Sequence, residues 1–147
     1  MFSESELAFL GGLSSYGDLE LLFLRLTIGV FFIVSQGIPK LFSKNRAQAR
    51  QDFMGRGVSG PLFDFVGAIE LLGGIFFVVG FITRFTAIVL AILIFVIIVF
   101  NIRVMSRPPV NRRYVRGWDL DTVLLAAIVA LAVYGAGHYS VDFLLHI

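Results

Sequence analysis

The sequence predicts an all-α membrane protein, a four-transmembrane-helix antiparallel bundle, and three observations lead there. The 147-residue chain is 58% hydrophobic and only 15% charged. A soluble domain carries about 25% charged residues and about 45–50% apolar ones, so this chain has too few polar groups to cover a wetted surface. Four segments are long and apolar enough to cross about 30 Å of hydrocarbon, which takes about 20 residues. Ten of the twelve Lys and Arg residues fall in two alternate connections between those segments. The same figures exclude a disordered chain, a coiled coil and a collagen-like repeat.

Taken in order, residues 1–19 read as an extramembrane or interfacial segment. The first twenty residues hold four acids and no base, unlike a signal peptide. Phe2, Leu7, Phe9 and Leu10 suit a segment lying on the bilayer surface. The first helix is expected over about 20–40, with Arg25 and Gln36 inside it. The second is expected over about 61–80, where Pro61 suits a first helical turn. The third covers about 83–103, with Thr83 as its N-cap and no charge between Phe85 and Ile102. That stretch is rich in β-branched residues, but eighteen uncharged residues without a turn signal read as a spanning helix. The fourth covers about 119–137, and 143–147 form a C-terminal tail.

The basic residues set the orientation. Lys40, Lys44, Arg46, Arg50 and Arg56 lie in the first connection, and Arg103, Arg107, Arg112, Arg113 and Arg116 in the third. Short basic connections stay in the cytoplasm. Loops 41–60 and 104–118 are therefore expected to be cytoplasmic and both termini extracytoplasmic, in the cell (inner or plasma) membrane. The ten bases read first as topology and anionic-lipid contacts, and second as a docking surface for a partner. No recognition module for nucleic acid is present.

No cysteine is present, which excludes disulfides, thiolate metal sites and thiol redox chemistry in this chain. With His138 and His146 as its two histidines, a self-contained haem or zinc site is not expected. No P-loop, dinucleotide fingerprint or nucleophile–base pair is visible. Ser140, His138 and Asp142 crowd one short tail without a nucleophile turn.

What stands out is charge inside the spans. Each such group costs roughly 2.5–3.5 kcal/mol on insertion scales, so it turns inward and finds a partner. Arg25, Gly29, Phe32, Gln36 and Lys40 share one face of the first helix. Asp64, Gly67, Glu70 and Gly74 share one face of the second. Gly29, Gly67 and Gly74 would let the helices pack closely. From these stripes we expect a buried polar network of Arg25, Lys40, Asp64 and Glu70. Its predicted pairs are Arg25–Glu70, with Gln36 reaching Glu70 from below, and Lys40–Asp64. The network is read either as structural glue or as a pocket in which Glu70, Gln36 and Arg25 contact a quinone head group or a proton. Asn101 is expected to make a helix–helix hydrogen bond, and Asp119 and Asp121 to favour the fourth helix's N-terminal dipole. Ala126/Ala130 and Ala132/Ala136 offer a small packing face. Tyr114, Trp118, Tyr134 and Tyr139 suit interfacial anchors.

Five strings in register give a resemblance from about Leu21 to Asp142. They are Leu24-Arg25-Leu26-Thr27-Ile28-Gly29, Gly37-Ile38-Pro39-Lys40-Leu41-Phe42, Glu70-Leu71-Leu72-Gly73-Gly74, Gly80-Phe81-Ile82-Thr83-Arg84 and Gly135-Ala136-Gly137-His138-Tyr139-Ser140-Val141-Asp142. In these the chain resembles the DoxX/DoxD family of small membrane proteins. The resemblance implies a four-helix membrane bundle with Arg25, Lys40 and Glu70 as family-type polar positions and Ser140 and Asp142 in the tail motif. Gln36 departs from it, standing where the family often has histidine or an aromatic residue. The Arg103–Arg116 connection, with Pro108-Pro109, looks longer than usual.

Members of that family resemble the membrane subunit of thiosulfate:quinone oxidoreductase, a methylamine-utilisation membrane protein, and a partner of thiol-redox and superoxide-detoxifying proteins. A distant animal relative is associated with receptor assembly. The resemblance implies an integral subunit of a prokaryotic membrane redox complex, structural or quinone-associated, with no catalytic residues or metal site of its own. Its partners would be membrane lipids and other subunits of the complex. An assembly or chaperone-like factor is the alternative, and a small transporter or proton path a third.

Overall fold

The computed structural model describes residues 16–105 and 117–146. Helices make up most of them, and no strand occurs among the described residues. Helix α1, Gly17–Phe31, runs on through a π-helical turn, Phe32–Gly37, into α2, Ile38–Phe42. The wide turn has a local cause. Pro39 lacks an N–H, and its ring would crowd the carbonyl four residues back. The Ile38 N–H instead bonds to the Ile33 oxygen, five residues back.

A short helix α3, Arg46–Met54, occupies part of the connection predicted as a plain loop over 41–60. Then comes α4, Gly60–Val79, with Pro61 in its first turn as the sequence suggests. It stops at Gly80, which adopts φ 72° and bonds back to the Phe76 oxygen at 2.7 Å. That left-handed conformation suits glycine. Helices α5, Thr83–Met105, and α6, Gly117–Tyr134, follow. A last short helix α7, Val141–Leu145, begins two residues before the expected tail.

Three helical stretches among the described residues are long and apolar enough to cross a membrane: Gly17–Phe42, Gly60–Val79 and Thr83–Arg103. Only 28–33% of their apolar windows is buried inside the chain. The remainder, including Phe23, Phe65, Phe85 and Ile92, faces outward. In water that would be a very large exposed apolar surface. In lipid it is the expected exterior.

The interior is filled by Phe32 of the π turn, Phe77 of α4, Leu90 and Ile94 of α5, and Ile128 and Leu131 of α6. The registers are visible in close approaches. A Cβ on Gly29 would lie 2.8 Å from the Gly74 carbonyl oxygen, and one on Gly74 2.8 Å from the Gly29 oxygen. Gly37 meets Leu71 and Gly67 meets Lys40 in the same way. The contacts descend one helix as they climb the other, so the rod 17–42 and α4 are antiparallel neighbours. The three glycines singled out in the sequence, Gly29, Gly67 and Gly74, all lie in this contact.

Tyr134 and Tyr139 are both exposed, whereas Tyr114 and the Trp118 side chain lie outside the described residues, as do most of residues 1–19 and the middle of the connection 104–118.

Candidate functional site

The in-span charges are paired, but not as the stripes suggested. Lys40 Nζ donates to both oxygens of Glu70, at 2.6 and 2.5 Å. Glu70 is fully buried, while 18% of the Lys40 side chain stays exposed. Asp64, predicted to hold Lys40, instead accepts from Arg46 of α3 at 2.8 Å and lies 3.4 Å from Arg50. The short helix α3 therefore supplies the basic partners, and Lys40 is released to reach deeper. The expected Lys40–Asp64 pair is corrected to Lys40–Glu70.

Other groups surround the buried pair. Asn101 of α5 donates to Asp121 of α6 at 3.4 Å, so the expected helix–helix hydrogen bond is found. Asp121 is buried, and both Lys40 and Glu70 interact with it electrostatically. The reading of Asp121 as a helix-dipole residue missed this inward position. Gln36 sits half-buried in the π turn, and its side chain makes no hydrogen bond to a described residue.

Arg25 lies elsewhere. It is 1% exposed, and its Nη1 donates to the Ala136 carbonyl at 3.0 Å while Nη2 donates to the Tyr139 carbonyl at 2.5 Å. It packs against Gly80, where even a Cβ would collide with the guanidinium. Gly80 is ten residues from Glu70, or about 15 Å along α4. The predicted Arg25–Glu70–Gln36 network is thus not formed. Lys40 sits level with Gly67, six residues further along α4 than Pro61 at its start. That six-residue shift is worth about 9 Å, enough to separate the two charges.

The segment holding Arg25 is itself a hub. Asp142 accepts from the N–H of Ile82 at 2.5 Å and of Thr83 at 2.8 Å. These are donors at the start of α5, so Asp142 supplies the cap assigned to Thr83. Ile82 is held at φ 49°, an uncommon conformation for a β-branched residue. The Asp142 N–H bonds to the Gly80 oxygen at 2.9 Å. Ser140 caps α7 by accepting from the Phe143 N–H, and its own hydroxyl donates to the Gly137 oxygen. Ser140 and Asp142 therefore have defined roles in the tail, neither of them in a catalytic triad. Asp18, at the start of α1, holds the His138 N–H at 3.0 Å and the imidazole Nδ1 at 2.5 Å.

Beside this hub lies a cleft of about 610 Å³, walled by Asp18, Thr83, Arg84, Tyr134, His138 and Phe143 among others. Among the described residues no group of three or more His, Asp or Glu side chains is arranged to hold a metal.

The family model that matches this chain is DoxX, over residues 20–102, more than half of the sequence. The chain belongs to the DoxX family. Family and apolar helices together make it a multi-pass membrane protein. The DoxX match takes in Arg25, Lys40 and Glu70, and ends before α6 and the tail that receives Arg25. No curated protein and no solved structure matches the chain.

Several residues of this DoxX protein's polar centres escaped the sequence reading. Arg46 and Arg50 were visible only as topology signals, and Asp18 only as part of an acidic N-terminal segment. His138 was weighed only as one of two histidines near the C-terminus and in a crowded tail without a nucleophile turn. The signal that could have found the Arg25 partner was the glycine-rich run Gly135-Ala136-Gly137, where backbone carbonyls can approach a side chain closely.

Proposed function

We propose that this DoxX protein spans the cell membrane as a four-helix antiparallel bundle. Its four spans are Gly17–Phe42, Gly60–Val79, Thr83–Met105 and Gly117–Tyr134. The α3 end, rich in Lys and Arg, faces the cytoplasm, as short basic connections do. The chain serves as an integral accessory subunit of a membrane-bound redox assembly linked to quinone, and has no catalytic residues of its own.

The observation that carries the accessory role is how the buried charges are used. Both terminal nitrogens of Arg25, both oxygens of Glu70 and both oxygens of Asp142 go to internal contacts that join separate parts of the chain. Groups bound in this way hold a scaffold together. The redox assignment and the quinone link follow from the family resemblance. Arg25 lies too far from Glu70 to share a head group with it, so a quinone at the Lys40 end would rely on Glu70 and Gln36 alone.

Purification of the native membrane protein in mild detergent, followed by mass spectrometry of what stays bound, tests the proposal. Stoichiometric recovery of a redox subunit is the expected result. Recovery of the chain alone, or with a folding client that carries no redox centre, would contradict it.

A further inference from the structure

We propose that the cleft at the tail end of the helices holds the head group of one anionic phospholipid, its phosphate bound by the Arg84 guanidinium and the Thr83 hydroxyl. One acyl chain then lies along the exposed apolar face of α5. The inference goes beyond the accessory-subunit reading and stands or falls separately from it.

The argument starts from which groups are already paired. Asp18, Arg84, His138 and Asp142 are the ionic side chains of the lining. The two oxygens of Asp18 hold the His138 N–H and its ring Nδ1. Those of Asp142 hold the Ile82 and Thr83 N–H groups, with Arg25 adding its charge from behind. Arg84 alone has no hydrogen bond or ion pair to a described residue. A Cβ on Gly135 would lie 3.1 Å from its Nε, so the glycine lets the guanidinium rest against the end of α6. The balance does not turn on the charge of His138. A protonated ring neutralises Asp18, and a neutral ring leaves a carboxylate whose oxygens both have partners. Either way the unpaired charge of the cleft is positive.

Thr83 supplies a second, independent group. Because Asp142 caps α5, the Thr83 hydroxyl is left buried and without a partner among the described residues. A buried donor in that state is costly until something accepts from it. Thr83 and Arg84 both line the cleft, and a phosphate offers strong acceptors to both. The walls decide between a lipid and a free ion. Phe85 and Tyr134 belong to the lining and are 64% and 70% exposed. Beyond Phe85, the exposed Ile88, Ile92 and Phe95 continue one face of α5. That face runs for about 15 Å from Phe85 to Phe95, half the thickness of the hydrocarbon layer. A cleft of about 610 Å³ takes a phosphate with its glycerol. A cationic head-group substituent such as choline finds no unpaired acid in the lining, so the anionic lipid is preferred.

Native mass spectrometry of the full chain in a phosphorus-free detergent tests this. The probes are dioleoyl phosphatidylglycerol, dioleoyl phosphatidylcholine, dioleoylglycerol and free glycerophosphate. One phosphatidylglycerol should bind per chain, about tenfold tighter than any of the other three, the worth of one hydrogen bond to a charged group. Arg84→Gln should lose that factor while the lipid-free chain melts as before. Arg103→Gln, exposed near the far end of α5, should bind as the wild type does. Thr83→Val removes the orphaned hydroxyl at nearly constant shape. It should weaken lipid binding yet raise the melting temperature of the lipid-free chain, opposite signs that a purely structural role would not give. Should Arg84→Gln fail to fold, Thr83→Val carries the test. Equal binding of phosphatidylglycerol and either the choline lipid or the diacylglycerol would overturn the proposal, as would equal losses in Arg84→Gln and Arg103→Gln. Glycerophosphate binding as tightly as the lipid would overturn the lipid assignment in favour of a free phosphate ester.

Discussion

Arg25 donates to the carbonyl oxygen of Ala136 across 111 positions of sequence, inside a region where only 1% of its surface is exposed. With the second bond to Tyr139, one guanidinium fastens the first helix to the segment after the last long helix. Arg25→Lys keeps the charge but not the planar fork that reaches two carbonyls. It should lower stability by about 1–2 kcal/mol, and Arg25→Ala by about 2–4 kcal/mol, on the scale of hydrogen bonds to charged groups. Thermal melts in detergent give the loss. Hydrogen exchange should place it at residues 136–142, and unchanged exchange there would remove Arg25 from its role.

Asp142 works on the same hub from the opposite side. Because it bonds to the first donors of α5 and helps hold Ile82 at positive φ, Asp142→Ala should cost about 1–2 kcal/mol, the usual loss of an N-cap. Asp142→Asn should recover part of it. Faster hydrogen exchange at Ile82 and Thr83 is the expected signature. Equal stability of Ala and wild type would mean that the cap is not needed.

The crossing of α1 and α4 depends on the absence of side chains. Gly74→Ala would put a Cβ 2.8 Å from the backbone oxygen of Gly29, so the helices must part. The expected cost is about 1–3 kcal/mol, as for overpacking elsewhere. Gly17 has nothing within 4 Å among the described residues, and Gly17→Ala is the matched control, expected to be neutral. A melting temperature for Gly74→Ala equal to that of Gly17→Ala would contradict this packing.

The spans were legible in the sequence because hydropathy over about 20 residues reports directly on transfer into lipid. Pro61 in the first turn of the second helix was legible for an equally local reason. The pairing of charges was not. Periodicity tells which residues share a face, but a shift of two turns along a neighbouring helix leaves the face almost unchanged and moves a charge by about 10 Å. The π turn before Pro39 and the helix inserted at Arg46–Met54 both alter that register. Asp18–His138 and Arg25–Ala136 join residues more than a hundred positions apart, and backbone carbonyls leave no mark in composition.

Orientation can be read with single cysteines, since the chain has none of its own. Gln48→Cys in α3 and Tyr139→Cys in the tail are both at exposed positions. In intact cells a membrane-impermeant thiol reagent should label position 139 and spare position 48. The reverse pattern would invert the protein, and labelling of both would refute an even number of spans.

Arg25 and Glu70 belong to separate clamps, one beside Gly80 at the end of α4 and one at the middle of that helix. Double-mutant cycles on thermal stability test it most directly. Lys40→Ala and Glu70→Ala should be strongly non-additive, with a coupling of about 1–3 kcal/mol, because either change alone leaves a charge without its partner. Arg25→Ala and Glu70→Ala should add to within about 0.5 kcal/mol, as independent sites do. A large coupling between Arg25 and Glu70, with none between Lys40 and Glu70, would contradict the account.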